Sequence, residues 1–216
     1  MSFEKDKYIV VKNLLSFSRA KFLSTYLYNK RKATTFLKRA GVINPLDPRE
    51  GYYGDAQIPN TFSIYGDCVF DTLMQELREE FQKHTGYLLS ENYTYARLYK
   101  NGDELKKHKD RFSCEISSTI FLGGDQWPIY VNPNSEEGSY APNNHYVPSE
   151  SKGKKIKLEP GDALIYKGCE IEHWRKPFKG LASAQVFLHY NNIKSEGAEE
   201  NKFDGRPLLG IPKKGA

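Results

Sequence analysis

The sequence predicts a mainly β domain with helices in its N-terminal part and a jelly-roll-like double sheet after them. Many short strand-like segments follow one another after residue 90, and two windows with helical apolar spacing precede them. The chain is also rich in aromatic residues, with 15 Tyr and 12 Phe, which suit pleated, half-buried surfaces. Its 216 residues are enough for one sizeable core, so we expect a single domain.

The N-terminal ninety residues are expected to form a helical support region. Apolar residues at helical spacing predict a helix over residues 19–39, with Ser18 as its N-cap. Residues 44–60 are rich in Pro and Gly and are expected to be a loop. A second helix is predicted to begin at Asp67 or Asp71 and to end at Gly86. We expect both helices to pack on one side of a sheet.

The region 91–193 is expected to hold the strands and the active site. Strands are predicted at residues 93–99, 115–122, 127–131, 156–158, 163–166, 170–174 and 184–190. Residues 132–155 are dominated by Asn, Pro, Ser, Gly and charged residues, which predicts a long loop serving either as a substrate lid or as a tolerated insertion. The polar tail, residues 194–216, is expected to lie on the surface.

Composition excludes several classes of protein. There is no apolar run near 18 residues, so no membrane span is expected. The first residues lack the apolar core of a signal peptide. The three cysteines, Cys68, Cys114 and Cys169, are far apart and odd in number, which argues against both a disulfide framework and a CxxC metal site. We expect a reducing, cytoplasmic location.

The net charge of +5 is concentrated near the N-terminus, where no acidic residue occurs between Asp6 and Asp47. Such a stretch is either a basic face for a polyanion or a solvated helix surface. The basic residues are not interleaved with aromatic residues in the pattern of a nucleic-acid groove, which favours the second interpretation. A nucleic-acid partner is therefore not favoured, although it stays open.

The chemistry of the chain is predicted to centre on His108 and Asp110. On an extended segment, residues two apart point to the same side, so this imidazole and this carboxylate face one point. With His173 they would complete a 2-His-1-carboxylate facial triad, which leaves open positions on Fe(II). His189 is interpreted as a packing or hydrogen-bonding histidine. The other histidines in competition for the third position are His84 and His145.

Four segments together resemble the prolyl 4-hydroxylase-like branch of the 2-oxoglutarate/Fe(II)-dependent oxygenases, namely YARLYKNGDELKKHKD, SSTIFL, LEPGDALIY and EIEHW. The resemblance covers residues 93–191. It implies a double-stranded β-helix (cupin-like) fold, Fe(II), 2-oxoglutarate and O2 as cofactors, and ascorbate as a possible reductant. It assigns His108, Asp110 and His173 as iron ligands, Tyr99 as a hydrogen-bond donor to 2-oxoglutarate, and Gly180 to the turn after the distal histidine.

One position departs from the family pattern. Ala182 stands where the family usually has the Arg or Lys that pairs with the far carboxylate of 2-oxoglutarate. A buried carboxylate needs a charged and preferably bidentate partner. Arg175 is the first candidate, because it lies two residues beyond His173 on an extended strand, and Arg97 is the second. Arg111 follows the ligand Asp110 and is expected to brace it or to contact the substrate.

The resemblance implies hydroxylation of an unactivated C–H bond, with a prolyl residue in a peptide or protein as the substrate. Four aromatic residues, Trp127, Tyr130, Tyr52 and Tyr53, could form a groove for a proline-rich chain, or they could simply pack in the domain. Alternatives within the superfamily are a small-molecule hydroxylase and a nucleic-acid demethylase. Outside it are a non-catalytic metal-binding β-helix domain and a zinc-binding cupin-like protein.

Overall fold

A computed structural model describes residues 2–142 and 145–212. Its helices are α1 Phe3–Asp6, α2 Phe17–Arg39 and α3 Cys68–Thr85, with short 3-10 helices at Phe112–Cys114 and Lys202–Gly205. Its strands are β1 Tyr8–Val11, β2 Phe62–Tyr65, β3 Leu89–Lys100, β4 Leu105–His108, β5 Ile116–Gly124, β6 Ile129–Asn132, β7 Ser139–Tyr140, β8 Tyr146–Val147, β9 Lys154–Ile156, β10 Ala163–Lys167, β11 Glu172–Arg175 and β12 Ala182–Asn192.

Two antiparallel sheets face each other, as the jelly-roll prediction requires. The larger sheet has the strand order β1-β10-β5-β12-β3-β2, and the smaller one has the order β4-β11-β6-β9. Phe121 and Leu164 of the larger sheet are buried in one cluster with Ile129 and Val131 of the smaller sheet. This cluster closes the space between the sheets, so the mainly β, double-sheet prediction is confirmed.

The two long helices cover the outer face of the larger sheet. Leu23 and Leu27 of α2 and Phe70 of α3 share a buried cluster with residues of β3, β5, β10 and β12. The N-cap of α2 is Ser16, two residues before the expected Ser18. The cap of α3 is Asp67, whose carboxylate accepts hydrogen bonds from the backbone N–H groups of the first turn, as Asp67 or Asp71 was expected to do.

The remaining differences from the prediction lie in short elements and in the tail. The strand β2 was not predicted, and the segment 132–155 carries β7, β8 and part of β9. The tail is not wholly on the surface, because Asp204 and Arg206 are buried. Arg206 forms a buried ion pair with Asp71 of α3 at 2.8 Å, which fastens the tail to the domain.

Many basic residues of the N-terminal stretch have partners. Lys12 pairs with Asp162, Arg19 with Glu76 and Lys30 with Glu50. Lys38 donates to three backbone carbonyl groups of the loop after α2. These contacts favour the interpretation as a structural surface over a face for a polyanion. Within the described residues, no helix is long and apolar enough to cross a membrane.

Candidate metal centre and its cavity

His108 and His173 lie directly opposite each other on the neighbouring antiparallel strands β4 and β11. Their ring centres are 4.2 Å apart. Asp110 lies two residues beyond His108, and its backbone N–H donates to the carbonyl group of Gly168 at 2.9 Å. The strand register therefore brings the three side chains to one point, where the sequence spacing had placed them.

The donor atoms of the three side chains converge. Oδ1 of Asp110 is 3.6 Å from Nε2 of His108 and 3.5 Å from Nε2 of His173. Nδ1 of His108 lies 2.8 Å from the carbonyl oxygen of Lys106, and Nδ1 of His173 lies 3.1 Å from that of Ile171. Since a carbonyl oxygen only accepts, each Nδ1 carries the proton and each ring has its lone pair on Nε2. Two imidazoles and one carboxylate suit a non-haem Fe(II) site.

The charge states also suit a cation. Burial lowers the pKa of His108 to about 4, helped by the neighbouring His173 and opposed by Asp110. Burial alone would raise the pKa of Asp110, but the interactions with His173 and His108 outweigh it and hold that pKa well below its ordinary value. At neutral pH the imidazole of His108 is therefore neutral and Asp110 is ionised, which are the forms that bind metal.

A cavity of about 450 Å³ opens onto these three residues. Tyr99 and Tyr166 form part of its wall, and the Tyr166 ring lies 4.7 Å from that of His173. The hydroxyl group of Tyr99 is buried and has no hydrogen-bond partner among the described residues. A buried, unsatisfied hydroxyl beside a metal-type triad fits a ligand that supplies the missing acceptor.

Arg175 is fully buried and is not among the residues that line the cavity, although Tyr99 and Tyr166 are. It donates to the backbone carbonyl of Trp127 and, at 3.2 Å, to Oγ1 of Thr119. Burial lowers its pKa to about 10, opposed by Tyr99 and Tyr166, so the guanidinium stays charged at neutral pH. Within residues 2–142 and 145–212 it forms no ion pair with a carboxylate, and its Nε has no partner. A buried charge without a counter-ion is costly, which fits an anionic ligand.

Arg97, the second candidate for the 2-oxoglutarate carboxylate, is already neutralised. It lines the cavity and forms an ion pair with Asp55. It also donates to Oε1 of Gln57 at 2.9 Å. Of the two candidates, Arg175 is the one with unmet charge. Arg175 lies on β11, and Ala182 lies at the start of β12.

Arg111 lies at the cavity edge and is clamped by the tail. Its two terminal nitrogens donate to the carboxylate of Asp204 at 2.6 and 2.9 Å. Its guanidinium also lies 4.9 Å from the centre of the Tyr93 ring. The charge of Arg111 is thus paired with Asp204, and none of these contacts is with Asp110, so its expected role in bracing Asp110 or the substrate stays a prediction.

Trp127 and Tyr130 do not reach the cavity, which corrects their assignment to the substrate site. Trp127 is buried beside Tyr99, and its indole N–H donates to the carbonyl of Lys176 at 2.8 Å. Tyr130 stacks on Trp174 on the other side of the small sheet. Both side chains pack within the domain, the alternative left open from the sequence. Strand alternation alone could not tell which face of β6 would look into the cavity.

The tyrosine pair of the loop before β2 also packs within the protein. The hydroxyl of Tyr52 lies 2.7 Å from that of Tyr95, and the hydroxyl of Tyr53 lies 2.9 Å from that of Thr35. The same loop contributes Asp55 and Gln57 to the cavity, which the sequence did not predict. No sequence signal marks these two residues, since their position depends on how the loop folds back.

The segment 132–155 is packed against the cavity. Tyr140 lines it, and its hydroxyl donates to the carbonyl of Lys109 at 3.1 Å. The fully buried carboxylate of Glu172 accepts hydrogen bonds from the backbone N–H of Ser149 at 2.9 Å and from the Tyr146 hydroxyl at 3.0 Å. The segment therefore has the anchorage and the placement expected of a cavity cover.

Gly168 is a further residue that the sequence analysis missed. A Cβ atom there would lie 2.3 Å from the carbonyl oxygen of Cys114 and 2.5 Å from Oδ2 of Asp110. Only glycine lets the turn before β11 approach the ligand so closely. The glycine of the KGCE turn, just before EIEHW, was the available signal. Gly180 is similarly confined, because a Cβ there would lie 2.5 Å from Cβ of Asp125.

Of the remaining histidines, His189 lies at the cavity, and His84 and His145 do not line it. His84 lies near the end of α3, 3.3 Å from Glu80. Potential ligand atoms of His189, Cys114 and Asp110 lie within 4.8 Å of one another, beside the triad.

Comparison with known proteins gives structural similarity without sequence similarity. No family model and no curated protein matches the sequence. EctD from S. alaskensis with bound Fe is similar at 15% identity and a TM-score of 0.61, covering 97% of this chain and 81% of that one. A Pseudomonas putida prolyl-4-hydroxylase is similar at 14% identity and a TM-score of 0.56, and the match covers 88% of this chain and 95% of that one. HygX from Streptomyces hygroscopicus, with nickel, 2-oxoglutarate and hygromycin B bound, is similar at 12% identity and a TM-score of 0.56. The match covers 89% of this chain and 85% of that one.

At these identities the likeness establishes the fold. The similarity covers between 88% and 97% of this chain in the three comparisons. The chain has the double-stranded β-helix fold of the 2-oxoglutarate/Fe(II)-dependent oxygenases.

Proposed function

We propose that this protein is an Fe(II)- and 2-oxoglutarate-dependent dioxygenase that hydroxylates an unactivated C–H bond and releases succinate and CO2. The observation that carries the proposal is the convergence of His108, Asp110 and His173 at the cavity, with Nε2 atoms within 3.6 Å of the carboxylate. Three protein ligands leave further coordination positions for a cosubstrate and O2. Bound Fe(II) with 2-oxoglutarate and O2 would supply the oxidising chemistry.

The chain's own residues would bind and orient the cosubstrate. Arg175 would pair with its far carboxylate, because this guanidinium has a buried charge and no carboxylate partner among the described residues. The Tyr99 hydroxyl would donate to the same carboxylate. The apolar side chains of Leu105 and Phe187 line the cavity and would exclude water from it.

A prolyl residue in a peptide or protein is our proposed substrate. Tyr140 lines the cavity and is exposed, so it offers an aromatic face of the kind on which proline packs. A second hollow of about 590 Å³ between residues 56–59 and 100–106 also includes Gln57, so it adjoins the cavity. Two adjoining hollows suit an extended chain. The structural similarity to a prolyl-4-hydroxylase supports the same substrate class.

A small molecule is the alternative substrate. The structure with hygromycin B bound is as similar to this chain as the prolyl-4-hydroxylase is, with a TM-score of 0.56 for each. A nucleic acid is not favoured, because basic residues of the N-terminal stretch are paired with carboxylates. All three cysteines are free, and we propose a reducing compartment such as the cytoplasm, with ascorbate as a reductant.

The proposed cofactors can be tested without knowing the substrate. Under anaerobic conditions, Fe(II) followed by 2-oxoglutarate should give a visible charge-transfer band in the unaltered protein. His108→Ala should abolish the band and leave the fold intact. The control, His84→Ala, should keep it, because His84 lies away from the cavity. Iron binding without a band would identify a metal-binding domain of another kind, as the non-catalytic alternative requires.

The substrate class can then be tested by succinate release. Proline-containing peptides and free L-proline would be compared at equal concentration. Stimulation by the peptides alone is the expected result, because the two hollows extend beyond the size of a single amino acid. Stimulation by neither would direct the search to small molecules.

A further inference from the structure

The second carboxylate oxygen of the proposed metal ligand Asp110 has its own partner. While Oδ1 faces the two histidines, Oδ2 lies 3.0 Å from the hydroxyl oxygen of Ser117. Ser117 is fully buried on β5. A hydrogen bond to one carboxylate oxygen limits rotation of the group, so this contact bears on how Asp110 presents its other oxygen to a metal.

Ser117 has three neighbours and a single hydroxyl hydrogen. Besides Asp110, the carbonyl oxygen of Cys114 and Nδ1 of His189 each lie 2.9 Å from its oxygen. The carbonyl group and the carboxylate can only accept. With Nδ1 of His189 as the donor, Ser117 accepts that hydrogen bond, and its own hydrogen is directed to Asp110 Oδ2 and the nearby Cys114 carbonyl. The direction His189 to Ser117 to Asp110 thus gives the carboxylate a donor and leaves the Ser117 oxygen satisfied.

The fold fixes this order of contacts. His189 and Ser117 are direct partners in the antiparallel pairing of β12 with β5. The His189 ring is buried and lies 4.5 Å from the ring of Tyr93, which limits its rotation. The hydroxyl of Tyr93 in turn lies 3.0 Å from Sγ of Cys114. The positions of Ser117 and His189 are therefore fixed by the sheet register and by packing, and do not depend on a metal.

We infer that Ser117 and His189 are positioning residues that hold the carboxylate of Asp110 in its metal-binding orientation. The inference rests on the proposed function and adds two residues to it. Neither residue needs to touch the metal. Each acts by keeping Oδ2 of Asp110 engaged, so that Oδ1 alone is presented beside His108 and His173.

The neighbouring Ser118 provides a matched control. It is also fully buried on β5, but successive strand residues face opposite ways, and its hydroxyl contacts the backbone of Leu188. Ser117→Ala and Ser118→Ala therefore remove the same atom from opposite faces of one strand. Only the first should affect Asp110.

The test measures Ni(II) binding by calorimetry and the visible spectrum of the Co(II)-loaded protein. Ser117→Ala should weaken Ni(II) binding about tenfold or more, since outer-shell partners typically contribute 10- to 100-fold in metal affinity. Its Co(II) spectrum should change, because the freed carboxylate can turn. Ser118→Ala should stay within about twofold of the unaltered protein and keep its spectrum, since its hydroxyl does not contact Asp110.

A second pair of variants separates hydrogen bonding from packing. His189→Asn keeps a donor at the δ position, whereas His189→Leu has none, so the first should retain most of the Ni(II) affinity that the second loses. Equal affinities and spectra for Ser117→Ala and Ser118→Ala would overturn the inference, as would equal losses in the two His189 variants. Absence of metal binding by the unaltered protein would instead overturn the proposed function on which the inference rests.

Discussion

Gln57 donates a hydrogen bond from its side-chain amide nitrogen to Nε2 of His108, at 3.2 Å. The orientation of the amide follows from its other contact, because the guanidinium of Arg97 has only donors and must face the Gln57 oxygen. The amide therefore contacts the same lone pair that a metal at the proposed site would use. The loop before β2, which carries Gln57, is thereby tied to the state of the metal site.

Gln57→Ala should bind Ni(II) about fivefold more tightly than the unaltered protein. The metal would no longer have to displace a hydrogen bond worth about 1 kcal/mol. Calorimetric titration of the metal-free proteins measures this change. Gln75→Ala, the same substitution on the exposed face of α3, should leave the affinity unchanged. Weaker binding by Gln57→Ala would mean that the amide supports the metal-bound form instead.

Arg175→Met should separate cosubstrate binding from stability. Losing the buried partner of a carboxylate typically costs 2–5 kcal/mol, so the affinity of the Ni(II)-loaded protein for 2-oxoglutarate should fall about thirtyfold or more. The melting temperature of the metal-free variant should not fall comparably, because the substitution also removes a buried charge that has no carboxylate partner in the described chain.

Arg97→Met is the comparison for that experiment. It breaks the ion pair with Asp55 and leaves a carboxylate without its partner, so it should lower the free energy of unfolding by about 3 kcal/mol. If Arg97→Met abolishes 2-oxoglutarate binding while Arg175→Met keeps it, the roles assigned to the two arginines are reversed.

The stability of the metal-free protein should fall as pH falls from 6.5 to 4.5. Burial lowers the pKa of His108 and of His189 from 6.5 to about 4. The unfolded chain therefore takes up protons in this range that the folded chain does not. The stabilisation is complete above pH 6.5 and is lost toward pH 4, with a slope approaching about 1.4 kcal/mol per pH unit for each histidine.

Urea unfolding at several pH values measures this slope, with His189→Asn expected to show about half of it because one of the two histidines is gone. A stability that does not change between pH 6.5 and 4.5 would contradict the prediction.

The sequence predicted those parts of the site that depend on spacing along one strand. His108 and Asp110, two residues apart, do converge with His173, whereas the role of Arg175 stays a prediction. The residues that it missed depend on contacts between distant segments. Ser117 meets Asp110 only through the register of β5 with β12, and Gln57 arrives on a loop whose path no local pattern encodes.

The fold likewise has some elements that follow from local sequence patterns and others that depend on contacts between distant segments. The long helices and most strands follow from local periodicity and turn signals, whereas the short strand β2 exists because β3 offers it an edge to pair with. The tail was expected on the surface because it is polar. Asp204 and Arg206 are buried because Arg111 and Asp71 provide their counter-ions.

Glu172→Leu should loosen the part of the chain around Tyr146 and Ser149, which Glu172 anchors. The substitution leaves the Ser149 N–H and the hydroxyls of Ser149 and Tyr146 without their acceptor, at a cost of about 1–3 kcal/mol for each group left buried and unsatisfied. Amide hydrogen exchange around Ser149 should therefore quicken about tenfold or more, since 1.4 kcal/mol is a factor of ten.

Metal affinity should change little in this variant, because the side chain of Glu172 points to the opposite side of β11 from that of His173. Glu170→Gln, on the exposed turn just before β11, is the control and should leave exchange at Ser149 unchanged. Equal exchange in both variants would show that other contacts hold the segment. If Glu172→Leu quickens exchange and also weakens binding of proline-containing peptides, the segment with Tyr140 acts as a substrate cover.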